Sequence, residues 1–114
     1  MTQEEKQLLL KDLCARLPYG VIVRYKNAEN EQGDIKLGYG NIGYCSILGV
    51  GWWKDCKPYL RPMSSMPEEE KKEARNLIYA TIEFTDWCNE HHFDYRHLIE
   101  KGLALEAPED MYKL

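Results

Sequence analysis

Cys88, His91, His92, Asp94 and His97 crowd one short stretch near the C-terminus. Thiolate, imidazole and carboxylate are the ligands that zinc takes, and Cys88 and His91, three apart, share one face of a helix. Structural zinc sites bring two such close pairs. Only one is visible here, so a metal site of Cys88, His91 and His97 is the weakest of three functional readings. Cys88 also continues an apolar helix face, which is what a core thiol does.

Nucleophilic catalysis would need Cys14, Cys45 or Cys56 to meet one of these histidines in space, and nothing near any of the three thiols activates it. No GxSxG elbow, phosphate loop, dinucleotide fingerprint or HExxH helix occurs. No catalytic residue is nominated, no cofactor is expected, and the chain reads as non-enzymatic. The third cluster is aromatic and basic. Tyr25, Tyr39, Tyr44, Trp52, Trp53 and Tyr59 interleave with Arg24, Lys26, Lys36, Lys54, Lys57 and Arg61. Rings beside cations can stack bases and hold phosphates, and they also dominate protein interfaces. Trp52 and Trp53 cannot both face a core if their stretch is extended, because successive strand side chains point to opposite faces. Trp52, Trp53, Tyr59 and Arg61 are therefore the expected partner surface.

The elements that must position these residues follow from periodicity. Residues 1–17 predict a helix: Thr2 and Glu5 have capping-box spacing, and Leu9, Leu10, Leu13, Cys14 and Leu17 line one side. Pro18-Tyr19-Gly20 ends it. A three-stranded sheet is expected over 21–50. Its first strand alternates Val21, Val23 and Tyr25 against Ile22, Arg24 and Lys26. The second carries Ile35, Leu37 and Tyr39. A Gly40-Asn41 hairpin then leads to a third strand over Ile42–Leu48. Residues 53–66, bracketed by Pro58 and Pro62, read as a packed loop. Residues 67–92 read as one long helix with Glu68, Glu69 and Glu70 in its first turn, and an apolar face running from Ala74 to Cys88. A short helix over 94–101, capped by Asp94 and stopped by Gly102, precedes a polar tail over 106–114. The fold class is α+β in the order α-β-β-β-α-α, an antiparallel sheet with helices on one face and Arg24, Lys26 and Lys36 on the other.

At 114 residues this is one domain, large enough to bury a core. The hydrophobic fraction of 44% is ordinary, and no run is long enough to cross a bilayer. Leu8-Leu9-Leu10 is too short for a signal-peptide core, so a cytoplasmic protein is expected, with its four cysteines reduced. The net charge of −4 is uneven: residues 21–66 carry a basic excess and residues 67–114 an acidic one.

The predicted element order, followed by Lys71-Lys72-Glu73-Ala74-Arg75, resembles a double-stranded RNA-binding domain. That resemblance implies phosphate contacts from Lys71, Lys72 and Arg75, which Glu68, Glu69 and Glu70 would oppose. The segments Leu8–Val23, Lys57–Met66 and His91–Pro108 resemble a family of small proteins from gut bacterial genomes and their phages and other mobile elements. The family has no assigned activity, so the resemblance implies a bacterial setting and transfers no site residue. The reading that results is a protein-interaction or accessory module with an unknown protein partner, or a homodimer. Nucleic acid is the alternative, and no membrane partner is expected.

Overall fold

The structure is a computed structural model that describes residues 2–44, 53–77 and 81–112. Helix α1, Gln3–Arg16, opens with the expected capping box: Glu5 N–H donates to Thr2 Oγ1 (3.1 Å) and Thr2 N–H to Glu5 Oε1 (2.9 Å). A 3₁₀ turn over Leu17–Tyr19 follows, and Gly20 leaves it at φ +69°, a left-handed conformation that favours glycine. Strands β1, Ile22–Asn27, and β2, Gln32–Lys36, form an antiparallel hairpin, with Val23 opposite Ile35 and Tyr25 opposite Gly33.

The third strand is not where the sequence predicts it. The Gly40-Asn41 hairpin and a strand from Ile42 are replaced by a turn, in which Asn41 Oδ1 accepts from Gly38 N–H, and a 3₁₀ turn over Ile42–Tyr44. Residues 45–52, which include the rest of the expected strand and Trp52, lie outside the described residues. Strand β3 is Trp53–Leu60, within the stretch expected to be a loop. Its Pro58 faces Val23. On that side of β1 the backbone already bonds towards β2, since Val21 O accepts from Leu37 N–H (2.8 Å). Pro58 therefore sits at a non-bonded position of the β1–β3 ladder, and its missing N–H costs that ladder nothing.

Two further helices follow, α2, Glu68–Leu77, and α3, Thr81–Glu90. The expectation of one helix over 67–92 is overturned by a single bond: Trp87 Nε1 donates to Glu73 Oε2 at 3.1 Å. Fourteen residues of straight helix would separate these residues by roughly 21 Å. The two helices instead pack together around Ala74, Trp87, Cys88 and Phe93, with Leu77 and Phe84 at the margin.

The short helix over 94–101 is also absent. Asp94 does cap, accepting from the N–H groups of Leu98 (2.8 Å) and Ile99 (3.0 Å), but it caps turns, with His97 at φ +60°. Leu105–Glu106 then forms β4, parallel to β3, so part of the expected polar tail joins the sheet. The described residues thus form an α+β fold of three α-helices and a four-stranded mixed sheet in the order β2-β1-β3-β4. The main core joins Leu9 and Leu13 of α1 to Val21, Val23, Cys56, Leu60 and Leu98. The opposite sheet face carries Arg24, Asp34, Lys36 and Asp55, all exposed, as the β1 alternation requires. No helix among the described residues is long and apolar enough to cross a membrane.

Candidate functional site

Three regions hold the chemistry. On the sheet face opposite the main core, β1 contributes Arg24 and Lys26, β2 contributes Asp34 and Lys36, and β3 contributes Asp55, Lys57 and Tyr59. Pairing sets Asp34 and Lys57 on either side of Arg24. Tyr59 Oη donates to Asp34 Oδ1 (3.0 Å), Arg24 Nε lies 3.5 Å from the same oxygen, and the Arg24 guanidinium sits over the Tyr59 ring at 5.4 Å. Burial, then the Asp34 carboxylate, pushes the Tyr59 hydroxyl pKa up, so this group stays a donor. A shallow groove of about 210 Å³ on this face is lined by Arg24, Lys26, Gln32, Asp55 and Lys57.

The second region is a cleft of about 520 Å³ between the end of β3 and the C-terminal segment. Arg61 borders it. Its guanidinium holds Glu70 through two bonds (2.6 and 3.1 Å), donates to His91 O (3.1 Å) and lies 4.1 Å from the Phe93 ring centroid. Tyr112 closes the far side. Its hydroxyl accepts from Ile22 N–H (2.9 Å) and donates to Tyr59 O (2.7 Å), while His92 stacks on its ring at 3.7 Å. Burial pushes the Tyr112 pKa up to about 12.

The third region is buried. Asp12 and Arg16 have no exposure, and Arg16 Nε donates to Asp12 Oδ2 at 2.8 Å. Arg16 Nη2 donates to Phe93 O (2.7 Å), and Arg96 Nη1 donates to the other Asp12 oxygen (3.1 Å). Tyr95 and Asn89 extend the network: Arg96 Nη1 donates to Tyr95 Oη, which donates to Asn89 Oδ1.

The residues expected to form a partner surface are dispersed. Trp53 is in the core, its ring stacked on Tyr25 at 4.8 Å. Tyr59 is buried, Arg61 is engaged by Glu70, and Trp52 lies outside the described residues. The aromatic and cationic character of Trp53, Tyr59 and Arg61 serves packing and hydrogen bonding within the chain. Lys71, Lys72 and Arg75, the phosphate-binding alternative, are exposed on α2, but Lys71 Nζ lies 3.5 Å from Glu68 Oε1 on the same helix.

The metal alternative does not assemble. Cys88 is fully buried, and burial pushes its thiol up to about 11. His91 packs on Trp87 with its Nδ1 3.5 Å from Glu70, and His97 is exposed. No group of three or more His, Cys, Asp or Glu among the described residues is placed to hold a metal ion.

Sequence reasoning missed the Asp12–Arg16–Arg96 network and the role of Tyr112. The first had a readable signal. Asp12 and Arg16 stand four apart, acid first, on the helix side that also carries Leu9 and Leu13. Tyr112 had none, because its partners lie 90 and 53 residues away in sequence. No protein-family model, curated protein or solved structure matches the chain at a significant level.

Proposed function

We propose that this chain is a non-enzymatic protein-interaction module, of a bacterium or mobile element as its sequence resemblance implies, and that it presents the open face of its sheet to the partner. The observation that carries this reading is a charge inversion. Among the described residues, Arg24, Lys26, Lys36 and Lys57 share the sheet face opposite the main core with two acidic side chains, Asp34 and Asp55, on a chain of net charge −4. The strand register sets the spacing of these groups, and Asp34, which accepts from Tyr59 Oη, lies 3.5 Å from the central cation, Arg24. Charge complementarity of this kind steers encounter and sets register between proteins.

The pattern suits an acidic protein surface better than a nucleic acid. Two carboxylates among the cations would meet a continuous phosphate backbone, and the face's aromatic, Tyr59, is too buried to stack a base. The test is a fluorescence-anisotropy titration of the whole chain with a labelled peptide of alternating Glu and Ser, beside duplex RNA and duplex DNA. The peptide is expected to bind, to weaken with salt, and to be lost in Arg24→Glu/Lys57→Glu. No binding at low salt, or equal binding by that variant, ends the sheet-face reading. Duplex binding that survives Arg24→Glu/Lys57→Glu and falls in Lys71→Glu/Lys72→Glu moves the function to the nucleic-acid alternative.

A further inference from the structure

We propose that the cleft beside Arg61 and Tyr112 is a second, separate binding site, and that its ligand is an organic cation: a guanidinium or ammonium head on a short aliphatic stem. Its volume of about 520 Å³ falls inside the roughly 300–1,000 Å³ typical of small-ligand sites. Pro62, Ser65 and Pro67 line it on one side, and Glu106, Pro108 and Glu109 on the other.

The charge within it is decided by what Arg61 does. This guanidinium already makes two bonds to Glu70 and one to His91 O, so its charge is paired with a carboxylate and those donors are taken. Glu106 and Glu109 remain, both exposed and neither in an ion pair with a described residue. An anionic ligand would enter against two carboxylates and a compensated arginine. A cation would enter with them.

The apolar part of the wall suits the rest of such a ligand. Tyr112 is held by both of its hydroxyl bonds and by His92 on one ring face. Its ring is therefore fixed before anything binds, and a cation beside an aromatic ring is attracted by the ring quadrupole. Prolines 62, 67 and 108 give stiff apolar contacts for a methylene stem, the part of Lys and Arg that packs on apolar surface while the head stays among polar groups. The Tyr112 ring at least needs no further ordering when a ligand binds.

The site does not depend on the sheet face, and its test reads different residues. Amide chemical shifts of the whole chain are followed by NMR during titration with arginine amide, an acetyl-Gly-Arg-Gly-amide peptide, citrulline amide as uncharged isostere, and the matching Glu peptide. The two arginine probes are expected to move the amides of Ser65, Ala107, Glu109 and Tyr112, while the citrulline and Glu probes leave them in place. The peptide binding more tightly than arginine amide would assign the natural ligand to a protein segment, and the reverse to a free amine; either supports the site. Glu106→Gln/Glu109→Gln, both at exposed positions, is expected to weaken the arginine probes about tenfold, the scale of two half-exposed ion pairs. Citrulline binding as well as arginine, arginine probes shifting only sheet-face amides, no shift at millimolar probe, or unchanged affinity in the double variant would each overturn the proposal.

Discussion

Arg16 is the residue on which the packing of α1 turns. A guanidinium cannot shed its proton in a protein, so burying it completely requires acceptors that stay in place. Asp12 supplies one and Phe93 O another, while Nη1 meets no described acceptor. Asp12 in turn receives Arg96, so one carboxylate joins α1 to the segment after α3 through two cations. Asp12→Ala should cost about 3–5 kcal/mol, because it strands Arg16 as an uncompensated buried charge. Asp12→Leu/Arg16→Met should recover most of that loss, since no charge is then left without a partner. Urea denaturation followed by circular dichroism measures both. An Asp12→Ala protein within about 1 kcal/mol of wild type would mean that Arg16 reaches solvent. At this scale the sequence informed on residue type and not on role. Trp53, Tyr59 and Arg61 have the composition of an interface, yet the same rings and cations are what Tyr25, Asp34 and Glu70 hold inside the chain. Composition does not separate the two uses, because both exploit the same contacts.

Elements were legible where their signals are local. The capping box of α1 lies within four residues, and the alternation of β1 fixes its own two faces, with Val21 and Val23 buried and Arg24 exposed. Strand β3 was hidden by Pro58, which argues against a central strand unless its register is known, and register depends on β1, more than thirty residues earlier. The α2–α3 pair was hidden because one apolar period continues through both helices. Tyr112 is the strongest case of a distant cause. The β1–β3 ladder ends at Val23–Pro58, so Ile22 and Tyr59 come next, and the Tyr112 hydroxyl sits between them, bonded to Ile22 N–H and Tyr59 O. It takes the place of a ladder bond where the strands part, and ties the chain's end to its sheet. Tyr112→Phe keeps the stack on His92 and leaves both backbone groups without this partner. The expected cost is about 1–3 kcal/mol, with faster amide exchange at Ile22 as its local signature. Unchanged exchange at Ile22 would show that the hydroxyl is not the bond that closes the sheet there.

For the whole molecule, one consequence of these ties is a contribution of His92 to the pH dependence of stability. His92 is 9% exposed, stacks on Tyr112, and lies within the field of the Arg16 and Arg61 guanidinium groups. Burial, reinforced by those cations, pulls its pKa from the usual 6.5 down to about 4. The folded chain therefore keeps His92 neutral over a range in which the unfolded chain protonates it. Between about pH 6.5 and 4 the unfolded state binds more protons, so stability falls as pH falls. Above this window the group contributes nothing further to the slope, and below it both states are charged. The accumulated loss is on the order of 3 kcal/mol, a large share of the ~5–15 kcal/mol that holds a domain together. Protonation would add a cation that Arg16 and Arg61 oppose, at the point where the tail, the β3 end and the turn after α3 converge. Urea midpoints at pH 7, 5.5 and 4.5 should fall steadily in wild type and fall less in His92→Phe. The slope is the readout rather than the absolute value, because φ at this position is +64° and phenylalanine carries more strain there. Parallel slopes in the two proteins would place the pH dependence in other groups and leave His92 as a packing residue alone.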